Sequence, residues 1–194
     1  MRLIWKSIHR VLWILLAVPI LLLPMLTRMA WATGGEIPEF RRAGADGAVT
    51  VRILEAEGHI EEQNLEDYLV GVVLGEIPAD FEEEALKAQA VAARTYTRKA
   101  MVTGGKHGGG LLCREAGCCQ AYWDPEDFLA GGGSPQELET LRWAVGETDD
   151  QVLTYDGELI EATFFSCSGG RTEDAVAVWG RDYPYLRATD SPGE

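Results

Sequence analysis

Basic side chains are scarce in this sequence once its first residues are passed. Residues 33–194 hold 13 Lys and Arg against 31 Asp and Glu, a net charge of −18. A field of that sign repels nucleic acid and offers no general attraction to anionic lipid. Internal repeats are absent, which sets aside solenoid and propeller architectures. Histidine is nearly absent: His9, His59 and His107 are the three, so any Ser-His-Asp or Cys-His set must recruit one of the last two. The G-x-S-x-G elbow and the short C-x2-C zinc knuckle are missing as well. At 194 residues the chain has room for one ordinary domain that buries well over half of its unfolded surface, and not for a second.

What is present begins with an uncharged run, VLWILLAVPILLLPMLT, 17 residues from Val11 to Thr27. That is the lower edge of a bilayer-spanning helix. Arg2, Lys6 and Arg10 precede it without an acidic residue, which keeps the amino terminus in the cytoplasm and sends the rest outward. A retained membrane anchor over residues 1–32 is the preferred reading, because the run exceeds the apolar region of about 7 to 15 residues in a cleaved signal. Ala30, Trp31 and Ala32 supply the A-x-A-like site of the cleaved alternative, and either reading exports residues 33–194.

Residues 33–47 are rich in Gly, charge and turn signals and read as a linker to a domain over 48–194. Val49, Val51 and Ile53 alternate with Thr50 and Arg52, the pattern of a strand with one buried face. Asn64 caps a helix LEDYLVGVVLGE, whose Leu65, Tyr68, Leu69, Val72 and Val73 form a core-facing stripe, and Pro78 stops it. Gly71 and Gly75, four apart on another face, admit a close neighbour. Asp80 with Glu83 predicts the start of an alanine-rich second helix from Phe81 to about Val102, with Glu83, Lys87, Arg94 and Arg98 on its polar sector. Residues 103–119 form a glycine-rich loop. Ser134, Pro135 and Glu137 open a short helix, and Asp156-Gly157 between QVLTY and ELIEATFF predicts a hairpin. The expected fold class is α+β, a helical hairpin packed with an antiparallel β-sheet.

Three features carry chemistry. Glu76 lies four, seven and eleven residues after Val72, Leu69 and Leu65, so it projects from the buried stripe, where desolvation favours the protonated carboxyl that acid catalysis needs. From spacing alone the preferred reading is the plainer one, a helix-terminal Glu turned to water or paired with a nearby Arg. His107, Cys113 and Cys119 follow H-x5-C-x5-C in the flexible loop, a thiolate and imidazole set suited to Zn²⁺; outside the cytoplasm the competing reading is a disulfide such as Cys113–Cys119, or one that uses Cys167. SCSGG, Ser166 to Gly170, reads as a turn with open backbone amides rather than a nucleophile site. An exported hydrolase using Cys167 or Ser166 with His107 is the generic alternative.

The run LEDYLVGVVLGEIPADFEEEALKAQAVAARTY resembles the signature of the stage II sporulation protein D family, which also includes the amidase enhancers. The resemblance continues in order through CCQAY, ELIEATFFSCSGGRTEDA and VWGRDYPYLRATDSPGE, over residues 48–191. It implies a lytic transglycosylase that cleaves the β-1,4 bond after N-acetylmuramic acid in peptidoglycan, using the sugar's own 6-hydroxyl and leaving a 1,6-anhydro end. One carboxyl suffices for that chemistry, where hydrolytic glycosidases use two. By the resemblance the catalytic residue falls on Glu76. Arg94 is expected near it, against substrate or developing charge. Gln120, Ser168 and Gly169 are expected to bind substrate, and a cleft-shaping zinc would sit on His107, Cys113 and Cys119. A fourth ligand is open among Cys118, Glu76 and water. The family pattern also implies peptidoglycan glycan strands as substrate during engulfment in a spore-forming bacterium, a companion amidase and a polytopic membrane protein as partners, and a domain that continues past Glu194. The alternative role within the family is a non-enzymatic amidase enhancer that only binds glycan or partner.

Overall fold

The alternating apolar residues after Val49 form the strand they predict, and everything downstream packs on it. In a computed structural model of the chain, which describes residues 49–193, strand β1 (Thr50–Leu54) buries Val51 and Ile53 completely. A single helical turn, Ala56–Gly58, leads to strand β2 (Ile60–Asn64), which pairs antiparallel with β1. Strand β3 (Leu111–Leu112) joins the other edge of β1 in parallel. The three-stranded sheet, ordered β2-β1-β3, is therefore mixed, a correction to the expected antiparallel one. The parallel pairing follows from the intervening helices, which return the chain to the far edge of β1 in the direction in which it left.

Asn64 ends β2 and caps helix α1 (Leu65–Glu76), its side chain accepting from the amides of Glu66 at 2.8 Å and Asp67 at 3.3 Å. Such a cap satisfies orphan amides of the first turn. The helix stops where Pro78 predicts, with the Ile77 amide donating back to the Val73 carbonyl. The stripe Leu65, Tyr68, Leu69, Val72, Val73 is buried, but so are Val70, Gly71 and Leu74, so α1 is covered on nearly every side. Helix α2 (Glu83–Thr103) begins three residues after the predicted cap: the Phe81 amide donates to the Pro78 carbonyl in a turn, and Glu82 takes the cap position. Its small Ala90 and Ala93 sit fully buried beside Leu86, which lets neighbouring helices approach closely.

After α2, Gly104 takes a left-handed conformation and closes the helix. At Gly110 (φ 74°) a Cβ would fall 2.8 Å from the Met101 carbonyl oxygen, and this tight approach folds the loop back against α2 and into β3. Helix α3 (Pro125–Ala130) is capped by Asp124, and helix α4 (Pro135–Glu147) by Ser134 as predicted. Leu138, Leu141, Ala144 and Val145 of α4 complete the core shared by α1, α2 and β1. Asp156 (φ 50°) and Gly157 (φ 80°) then form the two-residue turn between strands β4 (Thr154–Tyr155) and β5 (Glu158–Leu159). Positive φ at both positions is the hairpin geometry that Asp-Gly predicts. Helix α5 (Ala175–Trp179) lies in a C-terminal segment tied by Thr172–Thr189 and Arg171–Asp190 contacts. Among the described residues no helix is long and apolar enough to cross a membrane; the predicted anchor, residues 1–32, and the whole of the linker, residues 33–47, lie outside them.

Candidate functional site

Glu76 is the last residue of α1, and two forces act on it. The stripe behind it is fully buried, yet the carboxyl itself is only half-buried. Its Oε1 accepts the backbone N–H of Ala121 at 2.7 Å. The expected carboxyl sunk among apolar neighbours is thus a carboxyl at the rim, oriented by one amide. A half-exposed acid can meet a sugar oxygen, and a fixed one does not have to be ordered when it does.

The loop from α2 to α3 brings His107, Cys113 and Cys119 together as the spacing predicts, and it adds Cys118. The four ligand atoms all lie within 4.8 Å of one another, and the Cys118 sulfur is 3.4 Å from His107 Nε2. All four cysteines are free thiols, so the disulfide reading finds no support. Tetrahedral zinc with Zn–S near 2.3 Å spaces its ligands about 3.8 Å apart. A small contraction brings three thiolates and an imidazole to that geometry, so the donor set fits zinc. Glu76 is not among the clustered donors. Burial works against the Cys113 thiolate, but the Glu115 amide, His107 and the neighbouring thiols outweigh it and hold this thiol below its ordinary range. Burial holds the Cys119 thiol above it.

Arg94 stands elsewhere. It is fully buried, and its guanidinium meets Glu66 through Nε at 3.0 Å and Nη2 at 2.5 Å. Glu66 and Glu76 are ten residues apart on α1, about 15 Å along the helix. The expectation of Arg94 beside the acid gives way to a buried anchor at the other end of α1. Gln120 is 2% exposed, and its Oε1 accepts from the Thr97 hydroxyl at 2.9 Å, so it is a packing residue under the loop rather than an open substrate contact. Ser168 and Gly169 form a C-terminal turn in which the Ser168 hydroxyl accepts the Gly170 amide and the Gly170 carbonyl accepts the Ser191 amide. His107 meets Cys118 in the cluster, so the base named for the hydrolase reading with Ser166 or Cys167 belongs to the thiol cluster instead. Spacing missed Ala121, whose role is played by a backbone amide, and Tyr122, whose signal was the paired glycines it covers.

Comparison with known proteins agrees with the residues. The family model described as Stage II sporulation protein matches residues 55–155. Stage II sporulation protein D of Bacillus amyloliquefaciens is 38% identical over 152 residues, covering 76% of this chain and 44% of that protein. Its counterpart in Bacillus subtilis (strain 168) is 40% identical over 141 residues, covering 71% and 41%. The amidase enhancer of Bacillus subtilis (strain 168) is 39% identical over 120 residues, covering 62% of this chain and 14% of that protein. The chain spans less than half the length of each of these relatives.

Proposed function

Because the chain belongs to the stage II sporulation protein D family, we propose that it is a lytic transglycosylase of peptidoglycan with Glu76 as its single acid and base. The observation that carries this reading is the carboxyl itself, half-exposed at the end of a buried helix and aimed by the Ala121 amide. Protonated, Glu76 gives its proton to the glycosidic oxygen as the C1–O4 bond after N-acetylmuramic acid breaks. As carboxylate it then takes the proton of that sugar's 6-hydroxyl, whose oxygen bonds to C1 and closes the 1,6-anhydro ring. Atoms balance without water, and one group returns to its starting state.

Zinc on His107, Cys113, Cys118 and Cys119 would cross-link the loop beside Glu76; a four-ligand site of this composition is of the closed, structural kind. Export behind an N-terminal tether, action in sporulation and a companion amidase complete the proposal. They rest on the basic-then-apolar amino terminus and on the names of the relatives. The likeness to an amidase enhancer favours one other reading, in which the same surface binds glycan or an amidase without cutting.

Product analysis separates the two. Purified full chain incubated with denuded glycan strands should release 1,6-anhydromuramyl products detectable by mass spectrometry. Glu76→Gln should cut the rate by a factor of about 100 or more, the usual worth of a positioned general acid. A folded wild type that yields no anhydro product, yet stimulates an amidase, would establish the enhancer role instead.

A further inference from the structure

The thiol cluster and Glu76 are linked by a segment four residues long. It begins one residue after Cys119 and runs along the surface of α1. The Gln120 side chain is held by Thr97 on α2, at 2.9 Å. Ala121 donates its amide to Glu76. Tyr122 lays its ring over Gly71, where any Cβ would collide with it, and its backbone over Gly75, where a Cβ would stand 2.8 Å from the Tyr122 amide nitrogen. Trp123 then donates its amide to the Gly71 carbonyl at 3.0 Å. The Tyr122 ring is clamped from two sides. Tyr68 of α1 stacks on it with centroids 5.7 Å apart and planes 15° apart, and the Arg114 guanidinium lies 4.4 Å from its centroid. Arg114 is itself fixed by Glu55, Glu61 and Gln63.

We propose that the strap Gln120–Trp123 positions Glu76 and couples it to the loop cluster, with Tyr122 and Arg114 as positioning residues. The argument is one of connectivity. Only Gln120 separates the last thiol from the amide that aims the carboxyl, so a loop closed on a metal fixes the near end of the strap. The glycine pair and the stacked rings fix the far end. With both ends fixed the Ala121 N–H has one direction, toward Oε1. With either end loose the carboxyl loses its only described hydrogen bond. A metal held by the cluster would thus bear on Glu76 only through the Ala121 amide, since Glu76 is not among the clustered donors. The inference deepens the transglycosylase reading and rests on it for its catalytic consequence.

Amide exchange measured by NMR on the full chain tests the coupling without activity. Zinc loading should slow exchange of the Ala121 and Trp123 amides by a factor of about 10, the scale of one hydrogen bond. Chelation should reverse this while the core amides of Leu69 and Val72 stay protected. If chelation unfolds the chain, the zinc-loaded Tyr122→Ala protein decides: its zinc content should stay stoichiometric while both amides exchange faster, and Tyr122→Phe, which keeps the ring, should stay near wild type. On glycan strands Tyr122→Ala should lower kcat by a factor of about 10 or more with KM unchanged, the signature of a misaimed group rather than lost binding. Equal exchange rates in loaded and stripped wild type, or in loaded Tyr122→Ala and wild type, would overturn the strap even in an active enzyme. An inactive wild type with intact coupling would sink the transglycosylase and leave the strap standing.

Discussion

Arg94 places all five of its N–H donors inside the protein. Two bonds go to Glu66, and the others go to the Thr148 hydroxyl at 3.3 Å, the Gln151 carbonyl at 3.3 Å and the Val145 carbonyl at 3.0 Å. A planar fork with five fixed donors matches that set, and an ammonium with three does not. Arg94→Lys should therefore destabilise the chain by about 3 kcal/mol, as expected when a buried pair is broken. The urea midpoint should fall, while kcat of the folded protein holds. A full loss of turnover with an unchanged midpoint would return Arg94 to the substrate site. Spacing on the second helix groups Arg94 with Lys87 and Arg98 as a polar sector. Its acceptors come from residues 28 to 57 positions away, which no helix-face argument can see. The position of Glu76 at the helix end was legible for the opposite reason. Its place at the end of a stripe is local, and only the Ala121 amide had to come from elsewhere.

At the scale of elements, local chemistry decided what could be read. Asn64, Ser134 and Asp156-Gly157 each fixed a boundary where they were expected, because caps and tight turns depend on a few adjacent residues. Strand β2, Ile60–Asn64, escaped notice because IEEQN has no alternating apolar face; it exists through its pairing with β1. Strand β3 is two residues long and is set by the folding-back of the glycine loop. That loop was legible as a ligand cluster but not in its ligand count, since Cys118 and Cys119 are adjacent and sequence does not say that both turn inward. The structure brings both within 4.8 Å of His107 and Cys113. Zinc at a hundredfold excess over its Kd should then stabilise the chain by about 2.7 kcal/mol, a rise in Tm of roughly 5 to 10 °C for a chain of this size. Cys118→Ser should shrink that rise and weaken zinc retention against a chelator. The same rise in wild type and Cys118→Ser would reduce the set to three ligands.

For the whole molecule, the buried Tyr68 and the partly buried Tyr96 tie the core to the cluster. Tyr68 is fully buried, its hydroxyl has no hydrogen-bond partner among the described residues, and burial first, with the Cys119 and Cys113 thiols behind it, raises its pKa well above the ordinary 10. Tyr96 on α2 is shifted the same way by burial and by Cys119. Folding therefore favours the neutral phenols. The stability they contribute is fully present below pH 10, the unfolded value, and is lost as pH rises through the folded midpoints, where unfolding releases a proton that the native state holds. Acidic groups outnumber basic ones across residues 33–194, and phenolates at the buried Tyr68 and the partly buried Tyr96 would add like charge to that balance in a poorly solvated place. Alkaline titration should show the ultraviolet phenolate absorbance of Tyr68, Tyr96 and Tyr122, all three raised by burial, lagging behind the rest, with that of Tyr68 and Tyr96 appearing together with the loss of far-UV circular dichroism. Tyr96→Phe should remove one of the lagging groups and move the unfolding midpoint to higher pH. Complete phenolate formation near pH 10 with the dichroism intact would mean that water reaches these rings, and that the packing of α1 against the thiol loop is looser than the stacked Tyr68–Tyr122 pair describes.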